Sequence, residues 1–326
     1  MKEIVNHIDR RSLLVAMLAI SSPVMAQPKK FPANPIRVIL PFAAASGTDV
    51  VARGLFDRVA KASGWQFVID NKPGASGFLA AQAAKGSAPD GHTLFYTGNT
   101  THGANSALFK SMPYDPVADF DAITRVGVFP LVLMPRPELG VRSLAELIEL
   151  AKAKPEALTF GTGSAGPRVA SEKFQADAAI SVRHIPYKSS PQVLTDLLGG
   201  HLDFVFLDTV ASIPLIKSNK LRPLAVTSTR RLDALPQVPT MEELGFKGFE
   251  VLNWSGVFVP HGVPADIQDA LFQRISAVVA SDDWKRYVAD LGGYADVLSP
   301  ADTAKWVTRE IRIYRETLKR AGVQPE

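Results

Sequence analysis

The chain has 326 residues and a formal net charge of +4, and it contains no cysteine, which excludes disulfide bonds and thiolate metal sites. Its lysines and arginines are dispersed without interleaved aromatic residues, so the sequence predicts no nucleic-acid partner. The mild positive balance favours a small anionic ligand. A chain of this length can bury a large core, and it favours two lobes over one.

The first 26 residues have the pattern of an export signal. Arg10 and Arg11 precede an apolar run at 13–20, and a small-x-Ala cleavage pattern ends at Ala26. The run is shorter than the roughly 20 apolar residues that a membrane span needs. The arginine pair fits the core of a twin-arginine signal, and a Sec signal fits as well. We predict cleavage after Ala26 and a mature protein in the periplasm.

Strand and helix signals alternate along the rest of the chain. Short apolar runs predict strands, and apolar residues at helical spacing behind capping residues predict helices. In chain order the predictions are strand 36–40, helix 49–63, strand 66–69, helix 78–85, strand 93–96, an apolar run at 126–134, a helix behind the capping box 143–146, strand 158–160, helix 168–178, strand 183–186, helix 191–198, strands 204–207 and 224–228, a capping box at 240–243 with a stop at 245, strand 254–259, and mostly helix from 264, including 302–319. This alternation predicts an α/β fold with parallel-rich sheets flanked by helices.

The chain is predicted to cross twice between two lobes. The apolar run at 126–134, interrupted by Pro130, is interpreted as the first crossing, and the strand at 254–259 returns the chain. Lobe 1 then comprises 27–128 plus 249–326, and lobe 2 comprises 129–248. Closure is expected to be a rotation about the crossings near residues 129 and 250.

Two loops of small residues, at 42–49 and 161–166, each follow an apolar strand and precede a predicted helix. The first N–H groups of a helix have no partner within it, and the helix dipole adds positive potential there, so such loops suit an anion. Ligands of parallel sheets bind at the carboxyl ends of strands, where both loops and Asp208 are predicted to lie. The pattern predicts a clamp that holds a carboxylate between two lobes.

The second loop also matches the dinucleotide motif G-x-G-x-x-G. That motif needs an acidic residue at the end of the next strand, about 20 residues on, but the strand is followed by Tyr187 and Lys188. An anion-binding turn is therefore preferred to a nucleotide site, and a plain flexible turn stays open. No cofactor is predicted.

Three charged residues near these loops each have two interpretations. Arg168, near the start of the second helix, is either solvated or forms a charge-assisted bond to a ligand carboxylate. Asp49 either contributes to the site or complements the dipole of its own helix. Asp208 either accepts a hydrogen bond from the ligand or caps the next segment.

Catalytic and metal-binding patterns are missing from the sequence. None of the six histidines has metal-ligand spacing, and no G-x-S-x-G motif is present. A Ser-His-Asp hydrolase can be assembled only by choosing its members freely, without the geometry that a triad requires. We therefore predict no catalytic residue and no metal site.

Ordered motifs over nearly all of the mature chain resemble those of the substrate-binding receptors of tripartite tricarboxylate transporters, also called the Bug family. The motifs are Pro35-Ile36-Arg37 leading to Pro41-Phe42, Gly47-Thr48-Asp49, Asn71-Lys72-Pro73-Gly74-Ala75-Ser76-Gly77, Ala88-Pro89-Asp90-Gly91, Thr101-His102-Gly103-Ala104-Asn105, Pro113-Tyr114-Asp115-Pro116, Pro186-Tyr187-Lys188, Leu194-Thr195-Asp196-Leu197-Leu198-Gly199-Gly200, Leu224-Ala225-Val226-Thr227-Ser228 and Val238-Pro239-Thr240.

The resemblance implies a bilobal periplasmic binding protein of type II, without catalysis or cofactor, that takes a small carboxylate to the membrane permease of a tripartite transporter. We expect a monomer. By position, the implied ligand-binding residues are Phe42, Ala44, Ala45, Ser46, Gly47, Thr48 and Asp49 in the first loop, Gly98, Asn99 and Thr100 after the third strand, and Thr162, Gly163, Ser164, Ala165, Arg168 and Asp208 in the opposing lobe.

The sequence departs from the family pattern at several of these positions. Ala45 and Ser46 stand where glycines are typical, and Arg168 stands in a segment where serine and histidine are common. Leu207 stands where the family often has an acid, which argues against an amino-acid-like ligand. Two other functions stay open: a component that presents its ligand to a membrane sensor, and an exported hydrolase.

Overall fold

The computed structural model describes residues 31–325, so the predicted signal peptide at 1–26 lies outside the described residues. Between residues 31 and 325, no helix combines the length and the apolar character that crossing a membrane requires. From Asn34 onward the chain forms one compact unit.

The N-terminal third alternates strands and helices, as the apolar periodicity predicts. Strand β1 and helix α1 are joined by the first small-residue loop, and β3 leads into a single wide helical turn that continues as α3. The elements are β1 (Ile36–Leu40), α1 (Gly47–Ser63), β2 (Phe67–Asn71), a 3₁₀ turn (Ala75–Gly77), α2 (Phe78–Lys85), β3 (Thr93–Gly98), the wide turn (Thr100–Ala104) and α3 (Asn105–Leu108).

A long strand opens the next part of the chain, and a long helix closes the fold. The elements are β4 (Phe120–Pro135), a 3₁₀ turn (Pro137–Leu139), α4 (Leu144–Ala153), β5 (Thr159–Thr162), α5 (Ala165–Ala178), β6 (Arg183–Pro186), α6 (Ser190–Leu198), β7 (Phe204–Asp208), α7 (Thr209–Lys217), β8 (Ala225–Val226), β9 (Leu252–Pro260), α8 (Ala265–Val279), α9 (Asp282–Asp290), β10 (Tyr294–Ala295) and α10 (Pro300–Arg320). The predicted α/β class is confirmed.

The strands form one mixed sheet of ten strands in the order β2-β1-β3-β9-β4-β7-β5-β6, with β8 and β10 also paired to β4. The outer pairs of the sheet are parallel, as predicted, but β4 and β9 run antiparallel to their neighbours. The two parallel-rich groups of strands are therefore joined by the strands that cross between them, and the division into the two predicted lobes stays a prediction.

Pro130 does not break the crossing strand, although the sequence suggested an interruption there. Strand β4 pairs with β9 up to Pro130, which is opposite Leu252, and it pairs with β7 from Leu131 onward. A proline has no N–H to donate to a ladder, so it is tolerated at the point where the strand changes partner.

The capping box at 240–243 forms its hydrogen bonds but starts no helix, which corrects that prediction. Thr240 Oγ1 accepts from Glu243 N at 3.0 Å, and Glu243 Oε2 accepts from Thr240 N at 2.9 Å. Gly245 follows with φ of +98°, and the segment makes only turns. By contrast, the box at Ser143 does begin α4, and Ser143 Oγ accepts from Glu146 N at 3.2 Å.

Helices α1 and α5 both begin earlier than predicted. Helix α1 starts at Gly47 rather than residue 49, and α5 starts at Ala165 rather than residue 168. Glycine and proline in a first turn, where the backbone N–H has no helical partner, do not oppose helix formation as they would in the interior. The last small residues of the two loops, Gly47 in the first and Ala165 and Gly166 in the second, therefore lie in the first turns of the two helices.

Candidate functional site

Ser46 shapes the N-terminal end of α1. Its Oγ accepts from Asp49 N at 3.3 Å, which places Ser46 at the N-cap position. The N–H groups of Gly47 and Thr48 belong to the first turn and have no partner within the helix. Both residues line a cleft, so the end of the helix with positive potential faces that cleft.

Asp49 holds the first loop in shape rather than facing that cleft. Its side chain is 3% exposed, and its carboxylate accepts from Ala45 N at 2.9 Å, from Asn71 Nδ2 at 2.9 Å and from Arg53 Nε at 3.0 Å. Burial raises the pKa of Asp49, but the hydrogen bonds from Arg53, Asn71 and Ala45 outweigh it and hold the pKa below its usual value. These contacts support a structural role for Asp49, which is to hold the first loop, in place of a position in the lining of the cleft.

We expect Asp49→Asn to lower the free energy of unfolding by about 1–2 kcal/mol at neutral pH, because the charged acceptor is lost. An acid whose pKa is depressed by folding stabilises above its unfolded pKa, and that stabilisation is lost as the pH falls through the folded pKa. The difference in the free energy of unfolding between wild type and variant should therefore become smaller as the pH falls. Urea unfolding at several pH values measures it, and a gap independent of pH would contradict this role.

The segment after β3 connects the two small-residue loops. Thr100 Oγ1 accepts from Ala165 N at 3.4 Å, so it bonds the first amide of α5. Asn99 Nδ2 donates to Asn253 Oδ1 at 3.1 Å and to Tyr314 OH at 3.0 Å. The start of α5 is thus tied to the other half of the sheet through side chains that line the cleft.

The second small-residue loop has little room for side chains. A Cβ on Gly166 would overlap Asn253 Oδ1 and lie 2.8 Å from Asn99 Nδ2, and a Cβ on Gly163 would lie 2.5 Å from Ser190 N. At the end of β5, Thr162 Oγ1 lies 2.7 Å from His184 Nε2. The glycines of this loop therefore allow close packing of neighbouring segments.

Asp208 ends β7 and caps α7, which is the structural alternative that the sequence left open. Its Oδ1 accepts from Ala211 N at 3.0 Å. The same carboxyl group lies against the start of α1, because a Cβ on Gly47 would overlap Oδ1 and approach Cγ to 3.0 Å. Burial raises the pKa of Asp208, and the hydrogen bonds from the backbone N–H groups of Ala211 and Asp208 itself oppose that rise.

These segments line an open cleft of about 560 Å³, which we call the α1 cleft. Nine predicted site residues line it, together with residues that were not predicted. The predicted ones are Phe42, Ser46, Gly47, Thr48, Gly98, Asn99 and Thr100 from one half of the sheet, joined by Ser164 and Asp208 from the other; the others are Val51, Phe129, Ser190, Val210, Asn253, Trp254 and Ser255. Ala44 and Ala45 are exposed and, with Asp49, do not line this cleft.

A second cleft of about 990 Å³ adjoins the first and shares Phe42, Thr100 and Ser164 with it. We call it the basic cleft, because its lining includes Arg168, His184 and Lys188 and contains no aspartate or glutamate. The predicted site residues Thr162, Gly163 and Ala165 line it as well. Arg168 is half-buried and is the fourth residue of α5. Burial raises the pKa of Glu172, and the positive charge of Arg168 partly offsets that rise.

Within residues 31–325, no group of three or more His, Cys, Asp and Glu side chains is arranged to hold a metal ion. His102 is completely buried, its Nδ1 lies 3.0 Å from Thr101 Oγ1, and burial lowers its pKa to about 3. A neutral histidine packed against Phe95 and Phe258 is part of the core. The histidine therefore supports packing rather than chemistry at the cleft.

The family model of the tripartite tricarboxylate transporter family receptors matches residues 51–322. The chain belongs to this family. The relative called Protein BugT from Bordetella pertussis is 32% identical over 315 residues, which cover 96% of each chain. The resemblance to the Bug family seen in the sequence is confirmed. Members of the family are periplasmic receptors that bind solutes, so this chain is a solute-binding receptor rather than an enzyme.

Two solved structures have folds similar to that of the receptor. The structure described as R. palustris Rpa4515 with adipate has a TM-score of 0.89 and 30% identity, and it matches 91% of the receptor and 100% of that chain. MatC (Rpa3494) from Rhodopseudomonas palustris with bound malate has a TM-score of 0.83 and 28% identity, over 88% of the receptor and 100% of that chain.

The sequence indicated some of the unpredicted cleft residues only weakly. Trp254 lies in the strand predicted at 254–259 and Asn253 immediately precedes that range, and a tryptophan in an apolar strand is more typical of a core than of a ligand site. Trp254 is in fact 2% exposed and still contributes to the cleft wall. Ser190 follows a predicted strand at a helix start, which is the same signal that identified both loops, although no glycine marks it.

Proposed function

We propose that the receptor captures a small organic carboxylate in the α1 cleft. The observation that carries this proposal is the start of α1, where the first-turn residues Gly47 and Thr48 line the α1 cleft. Two adjacent N–H groups without helical partners and the positive end of a helix form a site for one carboxylate. The hydroxyl and amide groups of Ser46, Asn99 and Ser164 surround the same space and provide further polar contacts.

The similar receptors support a carboxylate rather than another anion. Rpa4515 is described with adipate and MatC with malate, and both are similar to this chain over nearly all of its described length. Each of these ligands has two carboxyl groups, and this chain offers two adjoining clefts. We infer that the second carboxylate of a dicarboxylate binds in the basic cleft near Arg168 and Lys188, reached past Phe42, Thr100 and Ser164.

We further propose that the two lobes, 27–128 plus 249–326 and 129–248, close over the ligand by rotation. The change of partner along β4 at Pro130 and Leu131, opposite the start of β9 at Leu252, supports a hinge at the two crossings. Residues from both lobes line the α1 cleft, so opening at these crossings would expose it.

The cellular context follows from the predicted export signal and the family. We propose that residues 1–26 direct the receptor to the periplasm and are removed there. The loaded receptor, acting as a monomer, would then deliver its ligand to the membrane permease subunits of a tripartite tricarboxylate transporter.

Calorimetry of the purified mature protein tests the proposal. The panel contains adipate, malate, a monocarboxylate such as butyrate, an aromatic acid such as benzoate, and uncharged butanediol as the control. We expect binding of at least one acid and no heat from butanediol. If a protein that unfolds cooperatively gives no heat of binding with any of the acids, the proposed function is contradicted.

Arg168→Ala tests the second end of the site. Losing a charge-assisted hydrogen bond should weaken a bound dicarboxylate by about 1–3 kcal/mol and leave a monocarboxylate nearly unchanged. The matched control is Arg183→Ala, which removes an exposed arginine of β6 that lines neither cleft. Equal affinities of wild type and Arg168→Ala for the dicarboxylate would show that Arg168 does not contact ligand.

A further inference from the structure

Among the described residues that line the α1 cleft, Asp208 is the only ionisable one. It is 8% exposed, and its carboxyl group lies against Gly47 at the start of α1. A buried carboxylate is costly unless hydrogen bonds or a cation compensate it. Here the compensation comes from backbone groups, namely the N–H of Ala211 and its own.

The described residues provide no charged side chain that neutralises Asp208. No neighbouring charge contributes to the shift of its pKa, which burial raises. Charged groups on the elements packed against β7 and α7 interact with other residues. On α1, Asp49 pairs with Arg53, Asp57 with Lys61 and Arg58 with Asp283. On or next to β4 and β7, Asp121 pairs with His261, Arg125 with Asp296 and Arg136 with Asp203. On α5, Lys173 pairs with Asp177 and the charge of Arg168 acts on Glu172; on α6, Asp196 accepts from Tyr187 OH. Lys217 lies in the last turn of α7, at the opposite end from Asp208.

A ligand carboxylate at the proposed position would lie beside this acid. The N–H groups of Gly47 and Thr48 would hold the ligand, and Gly47 is the residue that Asp208 touches. Two carboxyl groups that share a buried site cannot both ionise without a large electrostatic cost, so one of them retains a proton. The cations of the basic cleft do not offset this electrostatic cost, because Arg168 and Lys188 line the adjoining cleft and not the α1 cleft.

We propose that the receptor takes up a proton on Asp208 when it captures a carboxylate. This inference rests on the proposed function, since it requires an anionic ligand at the start of α1. A proton from the solvent forms an O–H bond on the Asp208 carboxylate, and the neutral acid then donates a hydrogen bond to the ionised ligand. Ligand binding is therefore coupled to proton uptake. The affinity for the ligand rises as the pH falls, and it stops rising at the pH where Asp208 is already protonated in the free receptor.

The experiment is calorimetry of the mature receptor with adipate and with malate in two buffers of different ionisation enthalpy at the same pH. A difference between the heats in the two buffers gives the number of protons taken up. We expect uptake of up to one proton per ligand, and an affinity that falls by up to about tenfold for each pH unit above the pKa of Asp208.

The variant Asp208→Asn shows whether Asp208 or another group takes up the proton. Asparagine keeps the capping position of α7, since it is as good an N-cap as aspartate, and its amide imitates the neutral acid. We expect this variant to bind more tightly than wild type near pH 8 and to take up no proton. Asp282→Asn, at the exposed start of α9, is the matched control and should keep the wild-type uptake.

Three results would overturn this inference while leaving the proposed function intact: binding with equal heats in both buffers, uptake that survives Asp208→Asn and disappears in His184→Gln, or at least tenfold weaker binding by Asp208→Asn. The second would assign the proton to the histidine of the basic cleft, and the third would show that the ionised carboxylate is needed. The wild-type measurement decides the first even if a variant fails to fold. Silence of all the acids would instead contradict the proposed function itself.

Discussion

Replacing Gly47 by alanine should weaken carboxylate binding roughly ten- to hundredfold, which corresponds to about 1–3 kcal/mol. The added Cβ would overlap Asp208 Oδ1 and come within 3.2 Å of Oδ2, so the Asp208 side chain, which lines the same cleft, must shift. The methyl group would also narrow the approach to the N–H groups at the start of α1. Calorimetry with the acid that binds wild type most tightly measures the loss.

A second substitution tests the cause of that loss. In an Asp208→Ala background the overlap is removed, so Gly47→Ala should cost much less affinity there than in wild type. Gly86→Ala serves as the matched control, because Gly86 is exposed and the nearest atom to its added Cβ is a backbone oxygen at 3.2 Å. Wild-type affinity in Gly47→Ala would mean that the ligand does not approach the start of α1.

Replacing Gly98 by alanine should lower the free energy of unfolding by about 3 kcal/mol, at the upper end of the usual range for overpacked sites. Its added Cβ would overlap the carbonyl oxygen of Trp254 and lie 2.9 Å from the carbonyl carbon. These are backbone atoms of β9, which pairs with β3 opposite Ser255, so they cannot rotate away as a side chain can. The two strands must separate locally.

Urea unfolding of wild type, Gly98→Ala and the Gly86→Ala control measures this effect. The control should lose no more than about 1 kcal/mol, because its nearest neighbour has to shift by only a few tenths of an ångström. A Gly98→Ala variant as stable as wild type would show that β3 and β9 are more loosely paired than the register between them implies.

The local elements could be predicted because their signals are local. Helix α2 occupies 78–85 as predicted, since its alanine-rich run ends at Gly86, and β1 and β6 also match their predicted bounds. The helix starts at Gly47 and Ala165 were placed two or three residues late, because small residues read as loop until tertiary contacts fix the first turn. Ala165 N, for example, bonds to Thr100, 65 residues away in the chain.

The central antiparallel strands could not be predicted from the alternation of elements. That pattern favours parallel pairs, and nothing in a single strand shows that β4 extends from Phe120 to Pro135 or that it changes partner at Pro130. The capping box at Thr240 illustrates the converse, because its two hydrogen bonds formed while the helix did not. Local signals of this kind specify a turn, and packing decides whether a helix continues from it.

The candidate site was predicted by segment better than by side chain. Both small-residue loops and Asp208 line adjoining clefts, which follows from their place at the carboxyl ends of strands. Asp49 lies in the predicted loop, but its carboxylate faces Arg53, Asn71 and Ala45. The spacing of residues in the sequence does not indicate in which direction a side chain points. Asn253 was missed because its contact with Asn99 joins positions 154 residues apart.

A crystal structure of the receptor grown with the dicarboxylate that it binds most tightly would show whether the start of α1 holds a carboxylate. We expect one ligand carboxylate within hydrogen-bond distance of Gly47 N and Thr48 N, next to Asp208, with the other end directed toward Arg168. A ligand held elsewhere, with the first turn of α1 bonded only to protein or solvent, would contradict the proposed site.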